Sequence, residues 1–215
     1  MLASLISNKT TINISFRLNT FTLRKINHEI LITTDKMEIT QNSKTNLNKG
    51  IVVQNAGIVI LNNYFGMLFE RLGLLHENKF SSLENQSKAA QFLQYVTTGS
   101  SDIEDIDLPL HKVLCGLPLT HPISDKIEIT AENLTIINSL LQAAISYWNA
   151  IGHCSLDGFR GNWLIRNGIL IELADKWELT VDKRAYDILI SKSPFVFSII
   201  KYPWMEKPLY VTWPY

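Results

Sequence analysis

Residues 51–75 read IVVQNAGIVILNNYFGMLFERLGLL and form the longest nearly unbroken apolar segment of this 215-residue chain. From about residue 56, apolar side chains recur at every third or fourth position, which is typical of one stripe of an amphipathic helix. Gly73 is placed to end that helix. Gly66 inside it predicts a close helix crossing, because glycine costs about 1 kcal/mol relative to alanine there. Polar and charged residues interrupt the segment, so we interpret it as a core helix rather than a membrane span. The interruptions are Gln54, Asn55, Asn62, Asn63, Glu70 and Arg71.

The overall composition is that of an ordinary globular protein, with 46% hydrophobic and 19% charged residues. Twenty basic residues balance twenty acidic ones. This balance argues against a nucleic acid or an anionic membrane as the main partner, because both require a clustered positive field. The two cysteines, Cys115 and Cys154, predict reduced thiols and a cytoplasmic location.

Residues 1–49 have a different composition from the rest of the chain. They contain seven Asn and eight Thr, and no Pro, Trp or Cys. We predict a polar, weakly structured leader and linker over residues 1–49, although short alternating pieces such as residues 12–16 can form strands. Gly50 then opens the domain that we predict over residues 50–215.

Downstream of residue 75, the sequence predicts an α-helical body. Pro109 suits a helix N-terminus, whereas Thr130 and Ser155 are suitable N-caps. The helix after Thr130 is apolar on most sides, which predicts that it is buried centrally. With the helix in residues 56–72, the predicted helices are 84–98, 110–115, 131–151 and 156–166.

The apolar period changes to two after residue 168, which is typical of strands. Residues 169–173 and 177–181 predict a hairpin, and residues 185–191 form either a strand or one helical turn. Two more β-rich runs follow, at 195–200 and 209–213. The predicted fold class is therefore α+β, with about five helices followed by a small antiparallel sheet at the C-terminus.

The histidines and cysteines do not form a recognisable metal or catalytic motif. His28, His76, His111, His121 and His153 are scattered, without an HxxxH or HExxH pair. A thiol enzyme around His153 and Cys154 is one hypothesis, but it requires a histidine from elsewhere in the fold and a lowered thiol pKa.

Two further stretches invite a functional interpretation and are better explained structurally. The acidic run Asp102, Glu104, Asp105 and Asp107 lacks the spacing and the glycine of an EF-hand, which favours a solvated loop. The turn at residues 157–161, DGFRG, has no GK[ST] and no preceding strand, so its glycines are expected to permit close packing. We predict no catalytic residue, no cofactor and no metal.

The C-terminal region is rich in aromatic residues. Because Trp, Tyr and Met are enriched at interface hot spots, this group is a candidate protein-interaction surface. The alternative is that the side chains close the sheet onto the helices. Without interleaved Lys or Arg, the group does not support binding to single-stranded nucleic acid. The candidate interface residues are Tyr202, Trp204, Met205, Tyr210 and Trp213.

Residues 50–75 resemble the opening of the C-terminal region of the tape measure proteins of bacterial contractile injection systems. The family pattern there is roughly V-Q-N-A-G-L-V-L-L, followed by L-F-x-x-L-G-L. Later blocks are similar to the family in the same order, including its L-x-K-x-L-C-G-x-P-L and its closing P-W-M. These blocks are AAQFLQYVTTG (89–99), LHKVLCGLPL (110–119), residues 140–170 and residues 177–213.

The resemblance implies a non-enzymatic structural component of a phage-tail-like particle. It implies control of tube length or docking at a tube end, with tube, baseplate or cap proteins as partners. It also implies no nucleic acid, no membrane insertion and no small-molecule substrate, and a cytoplasmic location in or beside a particle.

Family members are typically far longer than this chain. The roughly 50 residues that precede the resembling region would reach at most about 165–180 Å when extended. We therefore expect the C-terminal module rather than a full ruler. The alternative is a free-standing protein-binding or adaptor module that uses the aromatic C-terminal surface.

Overall fold

The structure, a computed structural model, describes residues 50–215. The leader and linker predicted over residues 1–49 lie outside the described residues. The described chain has five α-helices: α1 (Phe65–Arg71), α2 (Leu83–Thr98), α3 (Pro109–Leu114), α4 (Ala131–Tyr147) and α5 (Leu156–Phe159). Its strands are β1 (Ile51–Val53), β2 (Leu75–His76), β3 (Lys79–Phe80), β4 (Gly168–Glu172), β5 (Trp177–Val181), β6 (Ile199–Ile200) and β7 (Leu209–Thr212). The predicted α+β class is confirmed.

The segment after β1 is only partly an α-helix. A 3₁₀-helix over Ala56–Tyr64 precedes α1, whereas the sequence predicts one amphipathic helix from about residue 56 to 72. All residues from Ala56 to Asn62 are buried, so protein encloses this segment on every side rather than along one stripe. A 3₁₀-helix winds more tightly than an α-helix, which suits a backbone that neighbouring segments approach closely.

The close glycine contact in this segment is at Gly57. A Cβ built on Gly57 would lie 1.8 Å from the carbonyl oxygen of Trp163, so only glycine lets the two backbones approach this closely. The close crossing predicted at Gly66 is wrong, because an added Cβ there would meet open space. The reason is that Gly66 lies in α1 beyond the enclosed 3₁₀-helix.

Capping residues mark the predicted helix starts. The Thr130 hydroxyl accepts a hydrogen bond from the Asn133 amide at the start of α4, and the Ser155 hydroxyl accepts one from the Gly158 amide at the start of α5. Gly99 ends α2 with φ +77°. These ends depend on local geometry, which explains why the sequence predicts them.

Helix α4 differs from the prediction in burial and in length. It ends at Tyr147, and a separate 3₁₀ turn follows over Asn149–Ile151. The prediction of central burial is wrong, because Leu134 is exposed and the Tyr147 side chain is 63% exposed. Only one face of α4 packs against the core, since Ser, Asn, Gln and Ala residues interrupt the apolar ones on the other face.

The helix predicted over residues 156–166 becomes a π-helical turn at Arg160–Leu164. The Arg184 guanidinium donates hydrogen bonds to the carbonyl oxygens of Gly161 (3.2 Å) and Ile165 (3.0 Å). In a regular α-helix the Gly161 carbonyl would accept from the Ile165 amide, which here donates to the Arg160 carbonyl instead. The packing role predicted for Gly161 is wrong, because nothing lies near an added Cβ there.

The main sheet has the strand order β1-β4-β5-β7-β6. The predicted hairpin of β4 and β5 is confirmed, with Leu170 opposite Leu179. The sheet is mixed rather than purely antiparallel, because β7 pairs with β5 in parallel. The intervening chain makes this possible: it crosses back through a 3₁₀-helix over Asp187–Lys192 and through β6, which turns into β7.

One face of the main sheet packs against the helices and the other faces outward. Leu170, Leu179 and Leu209 are buried on the inner face. No helix in the described part of the chain combines the length and apolar character that crossing a bilayer requires.

Candidate functional site

The aromatic side chains near the C-terminus form an internal stack. The rings of Tyr202 and Trp204 lie 4.7 Å apart at an angle of 12°. Trp204 also meets Phe80 edge to face at 5.1 Å and lies 6.1 Å from Phe69 of α1. The turn after β6 therefore packs against α1 and the small hairpin of β2 and β3.

Hydrogen bonds hold the same two aromatic residues in place. The Trp204 indole donates to the carbonyl oxygen of Leu114 (3.0 Å), and the Tyr202 hydroxyl donates to that of Asn62. Burial raises the pKa of the Tyr202 hydroxyl far above its ordinary value, so the phenol remains a neutral donor. A Cβ on Gly116 would lie 2.1 Å from the Trp204 carbonyl oxygen, so α3 also ends against this turn. Both residues therefore make internal contacts that join the turn after β6 to the helical body.

Met205 and Trp213, two other candidate residues, are buried. The Trp213 indole donates to Asp187 Oδ2 at 3.1 Å, and its ring lies under the Arg166 guanidinium at 5.0 Å. Trp213 therefore fastens the C-terminal end of β7 to an internal ion pair.

That ion pair joins Arg166 and Asp187. Burial alone raises the pKa of the Asp187 carboxyl, but several donors lower it by more. These donors are the Arg166 guanidinium, the Arg184 amide and the Trp213 indole. The net pKa lies below the usual value, so Asp187 stays ionised at neutral pH.

Tyr210 is the candidate residue that lies on an open surface. It is 40% exposed and stands opposite Ile199 of β6, which is 57% exposed. Both belong to the outward face of the main sheet, which we call the outer sheet face. The pairing registers arrange this face in two cross-strand rows: Val52, Ile169, Thr180 and Thr212, and Ile171, Glu178, Tyr210 and Ile199.

The outer sheet face is mostly uncharged and β-branched. Glu178 is the one charged side chain in these two rows, and the Lys176 ammonium pairs with it at 2.7 Å. Lys176 also lies 4.9 Å from the centre of the Tyr210 ring. The exposed apolar residues of this face lie in two groups, on either side of Thr180 and Glu178 of β5. Scattered exposed apolar residues are normal, whereas several gathered on one face are typical of a contact surface.

Sequence reasoning missed the outer sheet face as a site. A signal was present in β4, where Ile169, Leu170 and Ile171 are apolar in succession. A strand with one solvated face normally alternates apolar and polar residues, so this run indicates apolar side chains on both faces. Val52 had no such signal, because its position opposite Ile169 depends on tertiary pairing.

The environment of Cys154 keeps its thiol protonated. His153 and Cys154 line a cavity of about 330 Å³ together with uncharged residues of α4 and the following turn. Burial raises the pKa of the Cys154 thiol, the reverse of what an activated nucleophile requires. Gly158 fits closely here, because an added Cβ would lie 3.2 Å from Cys154 Sγ.

The acidic run contributes a structural contact. Asp105 is exposed, and one of its carboxylate oxygens lies 2.8 Å from the ammonium group of the buried Lys112. Lys112 also donates to the carbonyl oxygen of Leu119 at 3.0 Å. Among residues 50–215, no three metal-ligating side chains lie close enough together to hold an ion.

A buried polar cluster lies behind β1, and sequence reasoning did not predict it. The Asn55 amide donates to Gln94 Oε1 (3.2 Å) and to the carbonyl oxygen of Asp107 (2.6 Å), and it lies 3.3 Å from His111 Nδ1. Burial lowers the pKa of His111 to about 3, so the imidazole is neutral. This cluster connects the start of the domain to α2 and α3.

The sequence matches a protein family over residues 7–213, which includes most of the segment before Gly50. The family is described as contractile injection system tape measure protein. No curated protein and no solved structure matches the chain.

Proposed function

The chain belongs to the contractile injection system tape measure protein family, and from that premise we propose a non-enzymatic assembly role in which residues 50–215 act as a docking module. The match over residues 7–213 carries this proposal, because it spans nearly the whole chain. Members of the family are structural components, so the role is one of assembly rather than catalysis.

The shape of the elements favours docking over measuring for residues 50–215. A ruler requires a long continuous element, whereas the longest helix in this part of the chain, α4, has 17 residues and spans about 25 Å. The surrounding elements are short and share one apolar core. Length control is therefore not assigned to residues 50–215, and the proposed role of this module is to present a surface.

The surface that we assign to docking is the outer sheet face, and its occupant is another protein of the injection system. Val52, 69% exposed, and Ile199 lie toward opposite edges of this face. The one acidic residue of this face, Glu178, is already paired with Lys176. A partner would therefore bury apolar area without burying an unpaired charge. Of the aromatic residues predicted as an interface, Tyr210 belongs to this surface.

The experiment deletes the gene in a strain that makes the particles. Electron microscopy then gives the number of particles, the tube length and the extent of contraction. Deletion is expected to reduce their number or to alter tube length or contraction. Unchanged number, length and contraction would contradict the assembly role.

Point variants then test the surface. We expect Val52→Ser combined with Ile199→Ser to reproduce the deletion defect while the purified protein keeps its fold. The matched control is Ile188→Ser, at an exposed apolar residue outside the sheet. Normal particle number, tube length and contraction in the double variant would reject the outer sheet face and leave the assembly role standing.

The second candidate function is a free-standing adaptor, which the exposed pair Tyr210 and Ile199 also favours. Affinity purification from the native cell separates the two functions. Tube, sheath or baseplate proteins among the captured partners support the assembly role, and an unrelated partner supports the adaptor.

A further inference from the structure

A cavity of about 420 Å³ lies between the loop after α3 and one end of the main sheet. Pro118, Leu119 and Thr120 contribute to one wall. The other wall includes Trp177 of β5 together with Glu172, Glu206 and Lys207. The cavity is separate from the outer sheet face, because Trp177 and the outer row residue Glu178 are consecutive and so point to opposite sides of β5.

The loop wall is held rigidly from behind. The Lys112 ammonium donates to the Leu119 carbonyl oxygen (3.0 Å) and pairs with Asp105. At the start of the loop, Gly116 lies against the backbone of Trp204, where no side chain would fit. Because the loop is already fixed, a ligand that enters the cavity does not have to order it, and the entropic cost of binding is lower.

Two further lysines order the sheet wall. The Lys201 ammonium donates to the carbonyl oxygens of Met205 and Glu206, which shapes the turn that carries Glu206. Lys207 donates to Glu172 Oε1 (2.8 Å) and to the carbonyl oxygen of Leu173 (3.0 Å). Both ammonium groups are thus engaged with atoms of the wall itself.

The residues that line the cavity carry one net negative charge, because Lys207 offsets one of the two glutamates, and Lys201 on the neighbouring turn lies outside the lining. Glu172 is neutralised by Lys207, whereas the Glu206 carboxylate has no ion-pair partner within residues 50–215. The half-buried Trp177 ring lines the same cavity, and its indole N–H makes no hydrogen bond to the described residues. A cavity lined by a glutamate without an ion-pair partner and by an indole ring is suited to a cation, and best to the planar guanidinium of arginine.

We propose that this cavity binds an arginine or lysine side chain of another protein chain, with the cation against the Trp177 ring and paired with Glu206. The proposed assembly role is the basis only for the identity of the partner as a protein. Charge selection and the aromatic wall follow from the cavity itself.

The test is an NMR titration of the purified, ¹⁵N-labelled full chain with N-acetyl-L-arginine amide, so its outcome does not depend on particle assembly. The Trp177 indole signal is identified by its loss in Trp177→Phe. We expect this signal to shift saturably, with weaker binding at high salt. N-acetyl-L-lysine amide is expected to bind more weakly, and the neutral N-acetyl-L-glutamine amide is expected to produce no saturable shift.

The variant Glu206→Gln is expected to weaken binding roughly two- to fivefold, in the range of an exposed ion pair. The matched control Glu128→Gln, at an exposed glutamate outside this cavity, is expected to bind like the unchanged protein. Because Glu206 is exposed, the variant is expected to fold normally, which circular dichroism checks. An indole signal that does not move, or that responds equally to the glutamine probe or in Glu206→Gln, would overturn the proposal.

Discussion

Arg166 and Asp187 form a bidentate ion pair in which both side chains have 0% exposure. The two contacts are Nη1 to Oδ1 at 2.9 Å and Nη2 to Oδ2 at 2.7 Å. Arg166 also donates to the carbonyl oxygen of Asp182 (2.7 Å), and Asp187 accepts from the Trp213 indole. The pair therefore joins the segment after the π turn, the 3₁₀-helix of residues 187–192 and the end of β7.

Replacing Asp187 with asparagine is expected to cost about 3–5 kcal/mol of unfolding free energy, because it leaves the Arg166 charge buried without its counter-ion. Urea denaturation measures this loss. The control is Glu178→Gln, which breaks a partly exposed pair with Lys176 and is expected to cost less than about 1 kcal/mol. Equal losses of unfolding free energy in the two variants would show that the buried pair contributes no more to stability than the partly exposed pair.

Acid is expected to destabilise the fold through His111. Its pKa falls from 6.5 in the unfolded chain to about 3 in the folded protein, because burial disfavours the charged imidazolium. A group with a lowered folded pKa contributes stability above its unfolded pKa and loses it as the pH falls toward the folded value. Stability is therefore expected to decline by up to about 1.4 kcal/mol per pH unit between pH 6.5 and about 3.

The comparison for this prediction is His111→Gln, measured by urea denaturation at the same pH values. This variant loses stability at neutral pH, but it is expected to have a flatter profile over the upper part of the window, from pH 6.5 to about 5. Below that range, protonation of Asp187 also contributes in both proteins, since its pKa is lowered from 3.8. Parallel profiles between pH 6.5 and 5 would exclude His111 as the source.

The substitutions Gly57→Ala and Gly66→Ala are expected to change stability in opposite directions. An alanine Cβ at position 57 would meet the Trp163 carbonyl oxygen at 1.8 Å, and relieving this overlap is expected to cost about 3 kcal/mol or more. Position 66 has open space within α1, so alanine is expected to stabilise by about 0.5–1 kcal/mol. Thermal denaturation of the two variants checks the order, and a tolerated Gly57→Ala would contradict the close backbone contact.

The two thiols are expected to react slowly with a disulfide reagent at neutral pH. Burial raises the pKa of both Cys115 and Cys154, which lowers the reactive thiolate fraction. Cys154 is only partly buried and should react first, more slowly than free cysteine, whereas Cys115 should react only on unfolding. Absorbance kinetics with Cys154→Ser assign the phases. If Cys154 reacts faster than free cysteine, the result would support the thiol-enzyme hypothesis.

Features that depend on neighbouring residues in the chain were predictable. The caps at Thr130 and Ser155 and the hairpin of β4 and β5 need only local hydrogen bonds or a short turn. The small hairpin of β2 and β3 was missed, because its turn places Glu77 and Asn78 at positive φ without the usual glycine. The aromatic group was evident from composition, but composition could not divide it into the buried Trp213 and the exposed Tyr210.

The sequence by itself determined the α+β class, the family and the positions of most helices, because apolar periodicity and capping act within a few residues. Only the tertiary structure decided what happens to residues 51–75. It placed β1 beside β4, compressed residues 56–64 into a 3₁₀-helix against Trp163, and set Val52 on the outer sheet face. These outcomes depend on contacts between segments more than 100 residues apart, and a pattern within one segment carries no information about the backbone that will press against it.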